Sequence, residues 1–291
     1  MTETIVSDLL DSRGFGEKLA AAFESAGHLC VGIDPHPYLL ERWQLPDSAA
    51  GVRDFGLRVV EAAAGRAAMV KPQVAFFERH GAEGFAALEE VLAAARATDL
   101  LVIGDAKRGD VGTSVEAYGQ AWLTPGSPLE VDALTVSAFQ GVGSLDAVAQ
   151  LARDTGKGLF VLAATSNPES RMIQTAVISG GEHAGMTVSA SIVAEVNSHN
   201  DGPLGFCGVV IGATVSIAGS GINEGDLVST PILAPGFGEQ GAMFADMRQR
   251  YGAASGNVIV NVGRGVLRAG PSALRGELSS TAEQLRAALA R

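Results

Sequence analysis

The sequence has few cysteines, little positive charge and no long apolar run, and each absence excludes a class of protein. Its 291 residues contain two cysteines, Cys30 and Cys207, too few and too far apart for a disulfide framework or a zinc site. Lysine and arginine number 21 against 32 acidic residues, so the net charge is −11 and there is no basic surface for nucleic acid or an anionic membrane. No apolar run approaches the roughly 18 residues of a membrane span.

The rest of the composition is that of a globular protein, because 47% of the residues are hydrophobic and 18% are charged. The N-terminus is acidic and lacks the basic-then-apolar order of a secretory signal. Both cysteines lie beside apolar, strand-like runs, so we expect their thiols to be buried and reduced. These features together predict a cytoplasmic protein.

Eight short apolar runs rich in β-forming residues recur along the chain, each followed by polar or glycine-rich residues. They are Leu29–Ile33, Ala68–Val70, Leu100–Ile103, Ala133–Val136, Leu159–Ala163, Gly208–Ile211, Ile232–Ala234 and Val258–Val262. Helical patterns separate most of them, for example Val52–Ala64, Gly84–Arg96, Ser144–Arg153 and Met186–Asn197. Alternating strands and helices, with strands apolar on both faces, indicate a parallel sheet covered by helices, and eight such units predict a (β/α)₈ TIM barrel.

We expect this barrel to be a single domain over residues 1–291, because no linker or change of composition divides the chain. An extra N-terminal helix near Gly16–Ala26 is expected to close the bottom of the barrel, and a final helix over about Ser272–Ala290 to complete the outer ring. The unit between strands six and seven is weak, since three glycines between positions 219 and 225 interrupt any long helix. A doubly wound open sheet is the competing architecture.

The segment Asp105-Ala-Lys107-Arg-Gly-Asp110 directly follows the third apolar run. Residues two apart on a strand share a face, so Asp105 and Lys107 are expected to point the same way. Taken alone, this spacing is more often a solvated loop with an ordinary surface ion pair. Because the segment falls at the C-terminal mouth of a predicted barrel, where the active sites of that fold lie, we interpret it as catalytic.

Other predicted strands deliver polar residues to the same mouth. Strand one ends at Asp34, strand two at Lys71 and strand five at Ser166. Strands seven and eight run into the glycine-rich loops 236–241 and 263–265. Such loops leave backbone N–H groups open to an anion, and the arginine of the second loop adds a planar fork suited to phosphate oxygens. Loops after strands seven and eight commonly bind phosphate in barrels, so the sequence predicts a phosphorylated ligand.

No metal or cofactor is predicted. The five histidines show no metal-ligand spacing, and the chain contains no P-loop, Rossmann fingerprint or nucleophile elbow. The predicted chemistry therefore belongs to side chains at the barrel mouth.

In order along the chain, the ends of strands one, two, three, five, seven and eight resemble those of the orotidine 5′-phosphate decarboxylase family, and the D-A-K-R-G-D form is similar to its longer bacterial (type 2) branch. The resemblance runs from about Val31 to Leu267. It implies a Lys-Asp-Lys-Asp tetrad at Lys71, Asp105, Lys107 and Asp110. It also implies an enzyme of pyrimidine biosynthesis that converts orotidine 5′-phosphate to UMP and CO₂ without a cofactor.

The resemblance further implies roles in substrate binding. Asp34 matches the aspartate that holds the ribose, and Ser166 matches the serine on the pyrimidine ring. Gln240 and Arg264 match the phosphate-side residues, beside the backbone of Gly263. At the reacting carbon, the second lysine of the tetrad would stabilise the developing carbanion and protonate it, while the first aspartate would face the carboxylate that leaves.

Members of the family are homodimers whose sites lie at the interface, with the last tetrad aspartate and a following hydroxyl donated by the other subunit. The resemblance therefore assigns Asp110 and Ser114 to the neighbour's site, and Gly109 and Gly112 would let the loop reach outward. The hydroxyl residue is usually threonine in the family, so Thr113 remains an alternative to Ser114.

Two other functions are compatible with parts of the pattern. Metal-dependent relatives, such as 3-keto-gulonate-phosphate decarboxylase or hexulose-phosphate synthase, share the D-x-K-x-x-D spacing but hold Mg²⁺ partly through an acid at the end of strand two. Here that position is Lys71, whose ammonium would occupy the place of the metal. A non-catalytic barrel that senses phosphate is the other alternative, and the complete tetrad argues against it.

Overall fold

The computed structural model describes residues 13–290, in which eight parallel strands close into a barrel in sequence order. The strands are β1 (Leu29–Ile33), β2 (Met69–Pro72), β3 (Leu101–Arg108), β4 (Ala133–Val136), β5 (Gly158–Ala164), β6 (Cys207–Ile211), β7 (Ile232–Pro235) and β8 (Val258–Val262). Strand β1 pairs with β2 on one side and with β8 on the other, which closes the sheet. The fold is therefore a (β/α)₈ TIM barrel, as predicted, and the open doubly wound alternative is wrong.

Helices form the layer outside the barrel. They are α1 (Phe15–Ser25), α2 (Pro37–Arg42), α3 (Ala49–Ala63), α4 (Ala75–Glu78), α5 (Gly81–Arg96), α6 (Gly112–Leu123), α7 (Asp146–Asp154), α8 (Arg171–Gln174), α9 (Val188–Ser198), α10 (Met247–Tyr251), α11 (Arg264–Leu267) and α12 (Leu274–Leu289). Between β6 and β7 the described chain forms only two 3₁₀ turns, Ala218–Ser220 and Glu224–Leu227. This agrees with the weak helical pattern of that segment.

Helix α1 closes the bottom of the barrel, as the sequence predicts. Its residues Phe15 and Leu19 are fully buried in one apolar cluster with inward-facing strand residues. The Phe15 ring meets Phe160 of β5 edge-on, with 6.0 Å between centroids. Gly158 gives this ring its space, because a Cβ there would lie 2.4 Å from the Phe15 ring. The barrel therefore has a sealed apolar floor.

Three smaller expectations concern burial and the termini. Cys30 and Cys207 are free and buried, as predicted, and burial raises the pKa of each thiol to about 12. Within residues 13–290, no helix is long and apolar enough to cross a bilayer. Most of the acidic N-terminal segment discussed above, residues 1–12, lies outside the described residues.

Strand β3 is longer than its apolar run predicts, and the first residues of the 105–110 motif therefore lie within the strand. The run ends at Ile103, whereas the strand continues to Arg108 with a register shift against β4 after Gly104. Asp105 and Lys107 are therefore strand residues, not the first residues of a loop. An apolar run ends at the first polar residue. When the upper half of a strand lines a polar cavity, the apolar run therefore underestimates the length of the strand.

Candidate active site

The site lies where the barrel interior changes from apolar to polar. The lower inward-facing layer is apolar and includes Cys30, Met69, Ile103, Ala133, Phe160, Val210, Leu233 and Ile259. Two residues further along β2, β3, β4 and β8 the same inward face carries Lys71, Asp105, Thr135 and Asn261. These four side chains form the floor of a cavity of about 630 Å³ that opens at the C-terminal ends of the strands.

Asp105 is the centre of the polar floor, and four side chains donate hydrogen bonds to it. Its Oδ2 accepts from Lys71 Nζ at 2.5 Å and from Gln73 Nε2 at 3.0 Å. Its Oδ1 accepts from Lys107 Nζ at 2.5 Å and from Thr135 Oγ1 at 3.0 Å. The carboxylate is thereby held in one orientation between two ammonium groups.

The charges of this cluster fix the protonation states of its buried members. Burial by itself raises the pKa of Asp105, but the charges of Lys71 and Lys107 outweigh burial and hold that pKa well below its usual range. Burial lowers the pKa of Lys71, and the charges of Asp105 and Asp34 more than reverse this, so the net shift is upward. Lys71 and Asp105 are therefore both ionised at neutral pH.

Lys107 is placed by an unusual backbone conformation. Its φ is +50°, in the left-handed region that residues other than glycine rarely adopt. Its backbone N–H donates to Thr135 Oγ1 at 2.9 Å, which anchors the end of β3 to β4. The side chain is 44% exposed, against 5% for Lys71, so of the two lysines that line the cavity Lys107 is the more accessible.

The β1–β8 side of the cavity carries the predicted sugar and phosphate residues. Asp34, Gly263 and Arg264 all line it, together with His36. Gly263 packs closely against Asp34, because a Cβ there would lie 2.6 Å from Asp34 Oδ2 and the carboxylate would have to move. Burial raises the pKa of Asp34, and the charge of Lys71 opposes this increase. Arg264 follows directly at the start of α11, so carboxylate and guanidinium share one wall.

The loops after β5 and β7 meet across the mouth of the barrel. Ser166 Oγ donates a hydrogen bond to Gln240 Oε1 at 3.1 Å, although 74 residues separate them in sequence. Gln240 lines the main cavity, whereas Ser166 lines a neighbouring cavity of about 390 Å³. The structure thus brings together two residues that the sequence assigned to different parts of the ligand.

Three predicted site residues lie outside the cavity of this chain. Asp110 Oδ1 accepts from the backbone N–H of Val111 at 2.8 Å, and within residues 13–290 Asp110 makes no ion pair or hydrogen bond with the Asp105 cluster. Thr113 and Ser114 are exposed in the first turn of α6. Their assignment to a neighbouring subunit, and the choice between the two hydroxyls, stay predictions.

The cavity also contains residues that sequence reasoning did not assign, namely Gln73, Thr135, Asn261 and His36. Gln73 could have been found, because it lies two residues beyond Lys71 and so shares its face. Thr135 belongs to a strand with no polar motif at its end, which gave no signal. Within residues 13–290, no cluster of three His, Cys, Asp or Glu side chains could hold a metal ion.

Comparison with known proteins identifies relatives over nearly the whole chain. A model of the "Orotidine 5'-phosphate decarboxylase / HUMPS family" matches residues 27–277. The orotidine 5′-phosphate decarboxylases of Streptomyces coelicolor and Salinispora tropica are 48% and 47% identical, each covering 94% of this chain and 98% of its own. A crystal structure from Streptomyces avermitilis, provisionally assigned the same activity, has a TM-score of 0.91 at 47% identity and covers 97% of this chain and 98% of its own. The structure of Leishmania donovani OMP decarboxylase has a TM-score of 0.73 at 29% identity and covers 94% of this chain and 98% of its own.

Proposed function

The chain belongs to the orotidine 5′-phosphate decarboxylase / HUMPS family and is a carboxy-lyase, and from this premise we propose that it converts orotidine 5′-phosphate to UMP and CO₂ by lysine-stabilised carbanion chemistry without a cofactor. The observation that carries the proposal is the Lys71–Asp105–Lys107 cluster at the cavity floor, with both ammonium nitrogens 2.5 Å from one carboxylate. A site that only binds phosphate has little need for such a cluster in addition to its phosphate-binding residues.

Decarboxylation breaks the bond between C6 and the carboxylate and leaves the electron pair on C6. No ring position delocalises that pair, so a fixed positive charge beside C6 provides the stabilisation. Lys107 is proposed to supply this charge and then to transfer a proton from Nζ to C6. Asp105 would face the carboxylate that leaves, and Lys71 would hold Asp105 in place through their 2.5 Å ion pair.

The phosphate is proposed to bind at the opposite wall. Arg264 offers a planar, permanently charged guanidinium, Gly263 offers backbone N–H, and Gln240 reaches in from the loop after β7. Ser166 would contact the pyrimidine ring, and Asp34 the ribose. Because Ser166 and Gln240 are hydrogen-bonded to each other, phosphate binding would draw the two loops together over the ring.

A direct assay distinguishes the proposed cofactor-free activity from a metal-dependent one. The loss of orotidine 5′-phosphate absorbance is followed with purified protein before and after EDTA treatment. We expect the same rate in both samples, because the Lys71 ammonium occupies the position at the end of β2 where a metal ligand would be needed. Activity abolished by EDTA and restored by Mg²⁺ would contradict the cofactor-free mechanism, and no turnover under either condition would contradict the decarboxylase function.

The site is proposed to be completed by a second copy of the chain. Asp110 and Ser114, or Thr113 in place of Ser114, would enter the partner's cavity, which they do not reach in their own subunit. The surface around them supports an interface, because it exposes three large apolar side chains, Val111 (55%), Tyr118 (39%) and Phe139 (80%). The dimer would then be isologous, with two equivalent sites.

Mixing two inactive variants tests the shared site. Lys107→Ala and Asp110→Ala proteins should each be nearly inactive alone. In a mixed dimer one site carries both defects and the other is wild type, so random exchange, which makes about half the dimers mixed, restores about a quarter of the sites. No recovery after subunit exchange has been verified by mass spectrometry would mean that Asp110 acts in its own subunit.

The remaining assignments concern location and partners. We propose a cytoplasmic enzyme whose ligand is a small phosphorylated molecule. Its net charge of −11 supports the absence of a nucleic-acid or membrane partner.

A further inference from the structure

A salt bridge joins the two segments that are proposed to hold the phosphate. Arg268 Nη2 donates a hydrogen bond to Glu239 Oε1 at 2.6 Å, although 29 residues separate them in sequence. Glu239 lies in the loop after β7, directly before Gln240, and lines the main cavity. Arg268 directly follows α11, the short helix that begins at Arg264 after β8. The pair therefore connects the two sides of the proposed phosphate site.

The acidic partner of this bridge is unfavourable where a phosphate is to bind. Glu239 is the only charged residue of the loop 236–241, and it lines the same cavity as Arg264. A phosphate monoester carries about two negative charges at neutral pH, so an unpaired carboxylate in this loop would repel it. The carboxylate would also compete with the phosphate for the guanidinium of Arg264.

The geometry of α11 places this carboxylate near Arg264. The backbone N–H of Arg268 donates to the carbonyl of Arg264 at 3.1 Å, so the two arginines are one helical turn apart. Residues four apart on a helix share a face, with about 5–6 Å between their Cβ atoms. Glu239 thus binds the second of two neighbouring guanidinium groups, whereas the first lines the cavity.

Folding stability does not explain the bridge. The side chains of Glu239 and Arg268 are 25% and 51% exposed, and ion pairs as accessible as this contribute little to stability. A substitution of either residue should therefore leave the barrel folded, so that its effect on a ligand can be measured.

We propose that Arg268 is a positioning residue for the phosphate: it holds and neutralises Glu239, so that the loop after β7 accepts a dianion and Arg264 stays available to it. The inference rests on the proposed function, which places the phosphate of orotidine 5′-phosphate between these segments. Because Arg268 acts through Glu239, its removal is harmful only while Glu239 keeps its charge.

The test compares wild type, Arg268→Ala, Glu239→Gln and the double variant by calorimetric binding of UMP. Arg268→Ala should bind UMP about 3- to 30-fold more weakly than wild type, because the released carboxylate opposes the phosphate. Glu239→Gln should bind UMP at least as tightly as wild type, since it removes the negative charge. The double variant should bind within about twofold of Glu239→Gln, because no carboxylate is left to be released.

Steady-state kinetics and a matched variant provide the controls. In Arg268→Ala the loss should lie in KM for orotidine 5′-phosphate, with kcat within about threefold of wild type, because Lys107 is untouched. Arg275→Ala on α12 removes the same charge from another exposed pair, that with Glu61, and should bind UMP within about twofold of wild type. If Arg268→Ala does not fold, Arg268→Met gives the same comparison and keeps part of the aliphatic stem.

The outcomes separate this inference from the proposed function. A loss in Arg268→Ala that Glu239→Gln does not restore would mean that Arg268 contacts the phosphate itself or only supports the loop, and it overturns the inference. Unchanged UMP binding in Arg268→Ala overturns it as well, and neither result affects the proposed function if wild-type protein decarboxylates orotidine 5′-phosphate. A wild-type protein that neither turns over orotidine 5′-phosphate nor binds UMP overturns the proposed function, and the role of Arg268 with it.

Discussion

Two lysine–carboxylate clusters lie at opposite ends of the same barrel and differ in which charge is shared. At the C-terminal end, Lys71 and Lys107 share one carboxylate, that of Asp105. At the N-terminal end, one ammonium, that of Lys157, lies between two carboxylates. Its Nζ is 2.8 Å from Glu130 Oε1 and 3.6 Å from an oxygen of Asp132.

The lower cluster is complete within the chain. The second oxygen of Glu130 accepts from the backbone N–H of Gly126 at 2.8 Å, and that of Asp132 accepts from Val102 at 2.9 Å. The Lys157 side chain is nine-tenths buried. Every charged group thus has a partner in the protein, so this cluster fixes the lower ends of β4 and β5.

The upper cluster is incomplete within the chain. Two ammonium groups share the single carboxylate of Asp105, and the more exposed of the two, that of Lys107, faces an open cavity. An exposed ammonium in a concave site can attract an anionic ligand, whereas an ammonium enclosed by protein carboxylates cannot. We therefore propose that the same residue types have different roles, the upper cluster in chemistry and the lower cluster in stability.

The largest expected effect is a loss of catalytic activity on substitution in the upper cluster. Lys107→Ala should lower kcat by at least about 10⁴-fold, because it removes the group proposed to supply both the fixed charge and the proton at C6. Its effect on the free energy of unfolding should stay below about 1 kcal/mol, since the side chain is 44% exposed. Steady-state kinetics and urea unfolding measure the two quantities.

Arg264→Ala is the matched variant on the phosphate wall. It should lower kcat/KM by a factor equivalent to about 2–5 kcal/mol of lost binding free energy. Lys107, the proposed proton donor at C6, stays in place. A Lys107→Ala enzyme with wild-type kcat would contradict the assignment of Lys107.

The second expected effect concerns the lower cluster, where a substitution should reduce stability and leave activity unchanged. Lys157→Met leaves two carboxylates without their cation, and we expect a loss of about 3 kcal/mol in the free energy of unfolding, the lower limit for a broken buried ion pair. The kcat of the folded variant should be unchanged, because Lys157 precedes β5 at the end of the barrel away from the cavity. Arg275→Ala, which breaks an exposed pair with Glu61, is the control and should cost less than about 1 kcal/mol. Equal losses in the two variants would mean that the lower cluster is no more than a surface ion pair.

The sequence predicts the upper cluster better than the lower one, and the reason is physical. Asp105 and Lys107 lie two apart on one strand, so their proximity follows from strand geometry once the fold is known. Glu130 and Lys157 are 27 residues apart, and their contact depends on how β4 and β5 align at their first residues. The same limit hid Thr135, whose role comes from its neighbour across the sheet, 30 residues from Asp105. The eight strands were predictable because each is a short apolar run, which is a local property.

The smallest expected effect is on the free energy of unfolding when one carboxylate at each end is neutralised. The two changes should have opposite signs. Burial raises the pKa of Asp34, so its ionised form is penalised in the folded state. Asp34→Asn should therefore increase the free energy of unfolding at pH 7.5, by about 0.5–2 kcal/mol, while it weakens substrate binding. The gain should shrink toward pH 4, where the wild-type carboxyl takes up its proton in the folded state and the penalty disappears.

Glu130→Gln should behave in the opposite way. Burial raises the pKa of Glu130, but the hydrogen bonds from Lys157 and Gly126 outweigh it and the net shift is downward. A lowered pKa stabilises the fold above the unfolded value of about 4.3, and that contribution is lost as the pH falls through the folded-state pKa. The variant should then be less stable than wild type at pH 7.5, and the difference should diminish below pH 4. Urea titrations of both variants at the two pH values measure the signs, and two variants shifted in the same direction at pH 7.5 would refute the distinction between a carboxylate held for a ligand and one held for the fold.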